Sequence, residues 1–279
     1  MTGAPNDQDT RAEWDSIAPG YDRTNTPTQM WLGNESLRRA GLRAGMRFLD
    51  VAAGSGALSI PAARLGAQVL AIDQSPTMLE LLKKHARQER LDIETRVMDG
   101  HALDLDDNTF DMAGSQFGVM LFPDMPKGTR EMARVVRSGG CVLITAYGDP
   151  HQIEFLGFLI QAVQRVRPDF NGPPTNPAPL EFQLSDPDRL RGALSAAGLK
   201  DTRVETITET TAFRSGQELW DWIISSNPIV ERILSGMLDL TDHERAEAQG
   251  VLERTVRARA GHGDVAQLTN PINVGIGTK

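Results

Sequence analysis

The sequence predicts an α/β fold built on a largely parallel sheet. Strand-like and helix-like patterns alternate from residue 46 to residue 214. The helix patterns carry matching end signals, with Ser75-Pro76 and Asp186-Pro187 at two starts and Gly66 and Gly198 past two ends. A carboxylate stands at the end of each of the first three strand patterns, at Asp50, Asp73 and Asp99.

The elements follow in order. Residues 1–10 are polar and read as a frayed end. From Arg11 a helix is expected, because Trp14, Ile17, Ala18 and Tyr21 form one apolar stripe. A second helix spans about 28–40. MRFLDVA is a buried strand, GALSIPAARLG a helix, AQVLAID a strand and SPTMLELLKKHARQ a helix capped by Ser75. DIETRVMD and TFDMAGSQFGV are strands, 124–137 a helix, and SGGCVLITAY a strand entered through a Gly turn. DPDRLRGALSAAGL is a helix, TRVETITETTAF an alternating strand and AQLTNPINVGIG a weaker one. Two stretches break the rhythm, both after strands. Residues 150–184 begin helical and end Pro-rich. Residues 215–262 read as three helices, two opened by capping boxes, Ser215 with Glu218 and Thr241 with Glu244. The chain thus divides into a helical N-terminal cap (1–45), an α/β core (46–149, 185–214 and 263–279) and two lid insertions (150–184 and 215–262), all within one domain (1–279).

Bulk properties narrow the function. The 279 residues carry a formal net charge of −8, and the basic residues form no runs, which argues against a nucleic-acid or membrane-surface partner. The single cysteine, Cys141, lies in the apolar run CVLIT and reads as a buried core thiol. No apolar stretch approaches membrane-spanning length, and the first residues lack a signal-peptide core. A soluble cytoplasmic protein is expected. No His, Cys or carboxylate spacing suggests a metal site.

Ligands of open α/β sheets bind at the carboxyl ends of the strands. There the sequence places Asp50-Val51-Ala52-Ala53-Gly54-Ser55-Gly56, Asp73, Asp99-Gly100-His101 and Ser115-Gln116-Phe117. Asp73 can accept from both hydroxyls of a ribose, and Asp99 from the exocyclic amine of adenine. Asp50 would repel a pyrophosphate and welcome an ammonium. The dinucleotide fingerprint is incomplete, with Ser59 at its third glycine position, and no Tyr-x-x-x-Lys pair is present. A nicotinamide oxidoreductase is therefore the weaker reading. S-adenosylmethionine, with an adenosine, a sulfonium and a free ammonium, matches three carboxylates.

LDVAAGSG, AIDQS, MDGHALDL, FDMAGSQFGVMLFPD and MARVVRSGGCVLI together resemble the motif series of class I S-adenosylmethionine-dependent methyltransferases, in the ubiquinone/menaquinone-biosynthesis-like branch of small-molecule enzymes. WDSIAPGYD near the N-terminus also resembles that branch, and the likeness covers residues 14–148. The resemblance implies a Rossmann-like sheet of seven strands, mostly parallel, with helices on both faces and AQLTNPINVGIG as its antiparallel strand. It implies S-adenosyl-L-methionine as cofactor and S-adenosyl-L-homocysteine as product. By the same carry-over, Ala52, Gly54 and Gly56 lie against the methionine part and Asp50 helps hold its ammonium. Asp73 binds the ribose, Gln74 and Met78 flank the adenine, and Asp99, Gly100 and His101 read its edge. Gln116 lies under the methionine. Apart from the resemblance, the helix stripe of Trp14 and Tyr21 could roof the site, with Tyr21 against the cofactor. Ala52 replaces a common glycine and is expected at ordinary φ.

Several of these residues have plainer readings. Asp99-Gly100 also suits a turn, His101 a solvated side chain, Met78 a core position, and Trp14 and Tyr21 simple packing. Trp220 and Trp222 cannot share a helix face, so one is expected in the core and the other at a pocket or interface. Candidates for a base are His151, just after the fifth strand, and Tyr21. Trp14, Phe117, Tyr147, Phe155, Phe158 and Trp220 are candidates to line an apolar acceptor pocket. SQFG after the fourth strand lacks both the aromatic loop of nucleic-acid enzymes and the carboxylates of metal-dependent ones. The expected activity is methyl transfer to a small, fairly apolar molecule, of the kind met in secondary metabolism, with the acceptor atom open. The alternative is a cofactor-binding relative that does not methylate or that serves a protein partner. The oligomeric state is open, with a homodimer among the options.

Overall fold

A computed structural model describes residues 7–173, 178–226 and 240–279. Seven strands form one sheet: β1 (Arg47–Val51), β2 (Gln68–Asp73), β3 (Ile93–Val97), β4 (Phe110–Gln116), β5 (Val136–Tyr147), β6 (Lys200–Phe213) and β7 (Ala266–Thr278). Their spatial order is β3-β2-β1-β4-β5-β7-β6. β7 alone runs opposite to the other six strands. The order reverses between β1 and β4, which opens a crevice at their carboxyl ends.

The helices are α1 (Asp7–Thr24), α2 (Thr26–Ala40), α3 (Ser59–Arg64), α4 (Pro76–Glu89), α5 (Met125–Val135), α6 (Glu154–Val166), α7 (Pro187–Ala196), α8 (Gly216–Ser226) and α9 (Asp242–Ala260). They cover both faces, as β7 makes plain. A Cβ at Gly275 would stand 2.8 Å from Leu190 of α7, so glycine there lets α7 sit close against the strand. On the opposite phase, Val274 pairs with Glu205, which meets Arg39 of α2.

Several sequence expectations need correction. The first helix starts at Asp7, inside the stretch read as frayed. α3 is shorter than its sequence pattern, because residues 52–58 form turns rather than a helical first turn. α5 ends at Val135, since Val136 already pairs with Phe110. Cys141 is half-buried rather than fully enclosed, and burial pushes its thiol up to about 11. Thr241 and Glu244 form a complete capping box. At Ser215 the box is displaced: the hydroxyl accepts from Glu218 N, but the Glu218 carboxylate accepts from Arg214 N one residue earlier (2.6 Å). Trp220 and Trp222 are both buried, because α6, α9 and the β6–β7 ribbon enclose α8 on more than one side. The middle helix expected between 215 and 262 falls mostly outside the described residues.

The main core lies around β1, β2, β4, β5 and β7 and contains no residue before Leu32. A second cluster joins α6, α8, α9 and the far ends of β6 and β7. No helix among the described residues is long and apolar enough to cross a membrane.

Candidate active site

At the carboxyl end of β1 the chain turns sharply. Ala52 takes φ +58° and Gly54 φ +53°. The expectation of ordinary φ at Ala52 is therefore wrong. The backbone enters the left-handed region there despite a Cβ, a conformation costing roughly 1–2 kcal/mol. Phe117, at the end of β4, does the same with φ +55°. Such strain, held at two strand ends that face each other, marks a place where backbone direction matters more than comfort.

Asp73 organises the turn. Its Oδ2 accepts from Gly54 N and its Oδ1 from Ser75 N, each at 2.8 Å. Burial raises its pKa, and the backbone N–H groups oppose the shift. Asp99 is exposed and accepts from both N and Nδ1 of His101 (2.9 and 2.8 Å). The His101 ring lies 4.4 Å from that of Phe122.

These residues surround a cavity of about 330 Å³ at the crevice between β1 and β4. Its wall includes Trp14, Tyr21, Ala52, Gly54, Asp73, Gln74, Met78, Asp99, Gly100, His101, Gln116 and Phe117. Sequence reasoning did not assign Glu13, Met98, Gly118, Leu121, Phe122, Pro123 and Leu180, which also line it. Met98 was signalled by its place before Asp99, and residues 121–123 by following the fourth strand in FGVMLFPD. Leu180 carries no local signal, since it arrives from a distant insertion. The lining holds three carboxylates and no Lys or Arg.

The roof comes from α1. Trp14 and Tyr21 meet edge to face at 5.9 Å. The Tyr21 hydroxyl donates to Gln29 Oε1 (2.9 Å), and burial holds its pKa far above the ordinary phenol range. Asp15 accepts from Ser75 Oγ (2.6 Å), and Asp22 lies 2.6 Å from His85 Nε2, so α1 is pinned to α4 at both ends of the roof.

Other predicted residues lie outside this lining. Gly56, with φ +105°, belongs to the turn beneath it. Asp50 is fully buried within β1, and its Oδ2 accepts from Ser59 Oγ (2.5 Å). Tyr147 stacks on Phe117 at 4.7 Å. Phe155, Phe158 and Trp220 belong to the second cluster. His151 is exposed on a 3-10 turn, Pro150–Gln152, where its N–H donates to Asp149.

Burial, with the nearby Asp73 charge, raises the Asp50 pKa to about 7. Between the ordinary carboxylate range and about pH 7 the folded protein thus keeps a proton that the unfolded chain has lost. The resulting stability is fully present in acid and is lost as pH rises through the folded value. Asp50→Asn preserves the acceptor for Ser59 and removes the titration. In urea unfolding it should gain stability relative to the native protein on going from about pH 5 to about pH 8, by on the order of 1 kcal/mol or more. A parallel pH profile for the two proteins would show that Asp50 does not titrate in this range.

Residues 49–144 match the family model described as a methyltransferase domain. A demethylmenaquinone methyltransferase from Clavibacter sepedonicus is 36% identical over 149 residues, 50% of this chain and 58% of that one. Residues 49–144 are thus similar to methyltransferase domains. It spans about half the length of the curated relatives it matches. Among solved structures, the chain is similar to the [4+2]-cyclase SpnF (TM-score 0.59, 17% identity, 100% of this chain and 98% of that one). It is also similar to a Haemonchus contortus phosphoethanolamine N-methyltransferase 2 in complex with S-adenosylhomocysteine (TM-score 0.53, 20% identity, 89% and 52%). At these identities the two structures speak to the fold alone.

Proposed function

We propose that the protein is an S-adenosylmethionine-dependent methyltransferase acting on a small, fairly apolar molecule. The observation that carries this reading is the cavity at the switch point, walled by Asp73, the Gly54 turn and Asp99 with no Lys or Arg among its described residues. A pyrophosphate would find carboxylates and no cation there, whereas a cofactor with ribose hydroxyls and a positive sulfonium finds acceptors. Met78, Met98, Leu121 and Phe122 offer an apolar slot for a purine beside Asp99. The likeness to a demethylmenaquinone methyltransferase supports the same assignment.

Bound S-adenosylmethionine would supply an electrophilic methyl group on a sulfonium; its transfer would leave the C–S electron pair on sulfur, and a hydroxyl or amine acceptor would give up its proton to water. Asp73 fixes the ribose end while holding Gly54 in place. Ala52 and Gly54 offer backbone close to the methionine end. Tyr21 stays protonated and can donate or accept at the roof, but it is poorly suited to remove a proton. The chain's main contribution is then alignment and exclusion of water.

Calorimetry with S-adenosylhomocysteine and with NAD tests this. Binding of the former at micromolar concentration and no heat with NAD is the expected result. Binding of NAD in preference would overturn it. Cofactor binding with no methyl transfer to any acceptor in a broad small-molecule panel would favour a relative that does not itself methylate.

A further inference from the structure

β6 alternates so that Ile207, Glu209, Thr211 and Phe213 face inward and are buried, while their neighbours face solvent. Three of these four suit a covered face. Glu209 does not, since a carboxylate 4% exposed must be paired or neutralised. Its only side-chain hydrogen bond among the described residues comes from Asn270 Nδ2 at 3.3 Å, directly opposite on β7. No described Arg, Lys or His forms an ion pair with it.

Two further buried polar atoms have no hydrogen-bond partner among the described residues: Asn270 Oδ1, on the strand opposite, and Trp222 Nε1, on α8. Trp222 packs edge to face on Phe213 (5.7 Å), two residues beyond Thr211 on the Glu209 face, and on Phe155 (5.0 Å). Phe155 touches Tyr147 (6.1 Å), and Tyr147 stacks on Phe117, which lines the cofactor cavity. The aromatic rings therefore run without a break from the cavity to the strand that carries Glu209. Through β7, Tyr147 shares the Ile272 position with Ile207, so Glu209 stands one same-face position beyond the end of β5, toward the lid.

A buried carboxylate and an idle amide oxygen, both acceptors, beside an aromatic wall make the chemistry of a site for an organic cation. We propose that Glu209 and Asn270 form a recognition subsite for a basic amine carried by the methyl acceptor, with Tyr147, Phe155 and Trp222 as its aromatic wall. The proposal rests on the methyltransferase reading and adds a substrate class to it. The amine is the anchoring group; the atom that receives the methyl group is a separate question. Its ammonium would supply the positive charge that no described side chain gives Glu209. The groups facing Glu209 from the surrounding elements agree. Tyr147 on β5 and Tyr21 on α1 both feel its charge, and neither is basic. Without a cation, burial raises the Glu209 pKa to about 7.

The test uses phenethylamine and phenethyl alcohol, a matched pair differing in the charged group, titrated into the full chain with S-adenosylhomocysteine present and again without it. Ligand-observed NMR gives the affinities. At about pH 8 the amine should bind at least about tenfold more tightly than the alcohol, and Glu209→Gln should bring the two within about twofold while leaving S-adenosylhomocysteine affinity unchanged. Should the variant fold poorly, the native protein answers alone. Its preference for the amine should fall by about tenfold between about pH 8 and pH 5.5 as Glu209 gains a proton. Equal binding of both probes, binding of neither, a preference untouched by Glu209→Gln in a folded protein, or a preference independent of pH would overturn the subsite. Failure of S-adenosylhomocysteine to bind the native chain would overturn the methyltransferase reading instead, and the arm without it would still decide the amine subsite.

Discussion

Replacing Asp73 with Ala is expected to weaken S-adenosylhomocysteine binding by about 10- to 100-fold and to lower the melting temperature. The carboxylate has two duties at once. Toward the cavity it is, on the proposed reading, the acceptor for the ribose, and a lost charged acceptor costs about 1–3 kcal/mol. Toward the protein it holds Gly54 N, in the turn after β1, and Ser75 N, at the start of α4 after β2. Ala leaves both N–H groups without their acceptor, so the turn that carries Ala52 and Gly54 loses its anchor as well. Asp73→Asn separates the duties. It keeps the shape but must turn an NH₂ toward one of the two backbone donors, so it too should bind less well while unfolding closer to the native protein. Calorimetry and thermal melting of the pair read the two effects. Native affinity in Asp73→Ala would remove Asp73 from the cofactor site.

Deleting residues 1–24 should cost at least about tenfold in cofactor affinity, with turnover falling further, while the sheet stays folded. The deleted helix supplies Glu13, Trp14 and Tyr21 to the cavity wall and docks on α4 through Asp15 and Asp22. The main core begins at Leu32, so its packing does not depend on α1. In the full chain, adding S-adenosylhomocysteine should slow hydrogen exchange over residues 11–25, because a ligand beneath the roof favours the docked helix. Unchanged exchange together with full affinity of the shortened protein would make α1 scaffold only.

How much of this was legible in the sequence depended on how local the determining interactions are. Ser75-Pro76 announced α4, and Ser75 Oγ does accept from Met78 N. Asp186-Pro187 announced α7 in the same way. The alternation of TRVETITETTAF gave the strand, but its inward phase assigned Glu209 to a face without saying that α6, α8 and α9 would seal that face. Position 52 was misjudged because its left-handed φ is imposed by the turn between β1 and α3, not by anything in Ala itself.

The sequence by itself determined the order of strands and helices, their caps, and the carboxylates and small residues at the strand ends. These follow from side-chain periodicity, hydrogen bonds spanning a few residues and the steric freedom of Gly and Pro. Only the tertiary structure decided which of those residues meet around one cavity. It turned Asp50 into the sheet interior against Ser59 while leaving Asp73 at the cavity wall. It brought Leu180 and the α1 roof to a crevice far away in sequence, and set Asn270 opposite Glu209. Such pairings depend on strand order and register between distant segments, and their energies appear only when packing removes water from both partners.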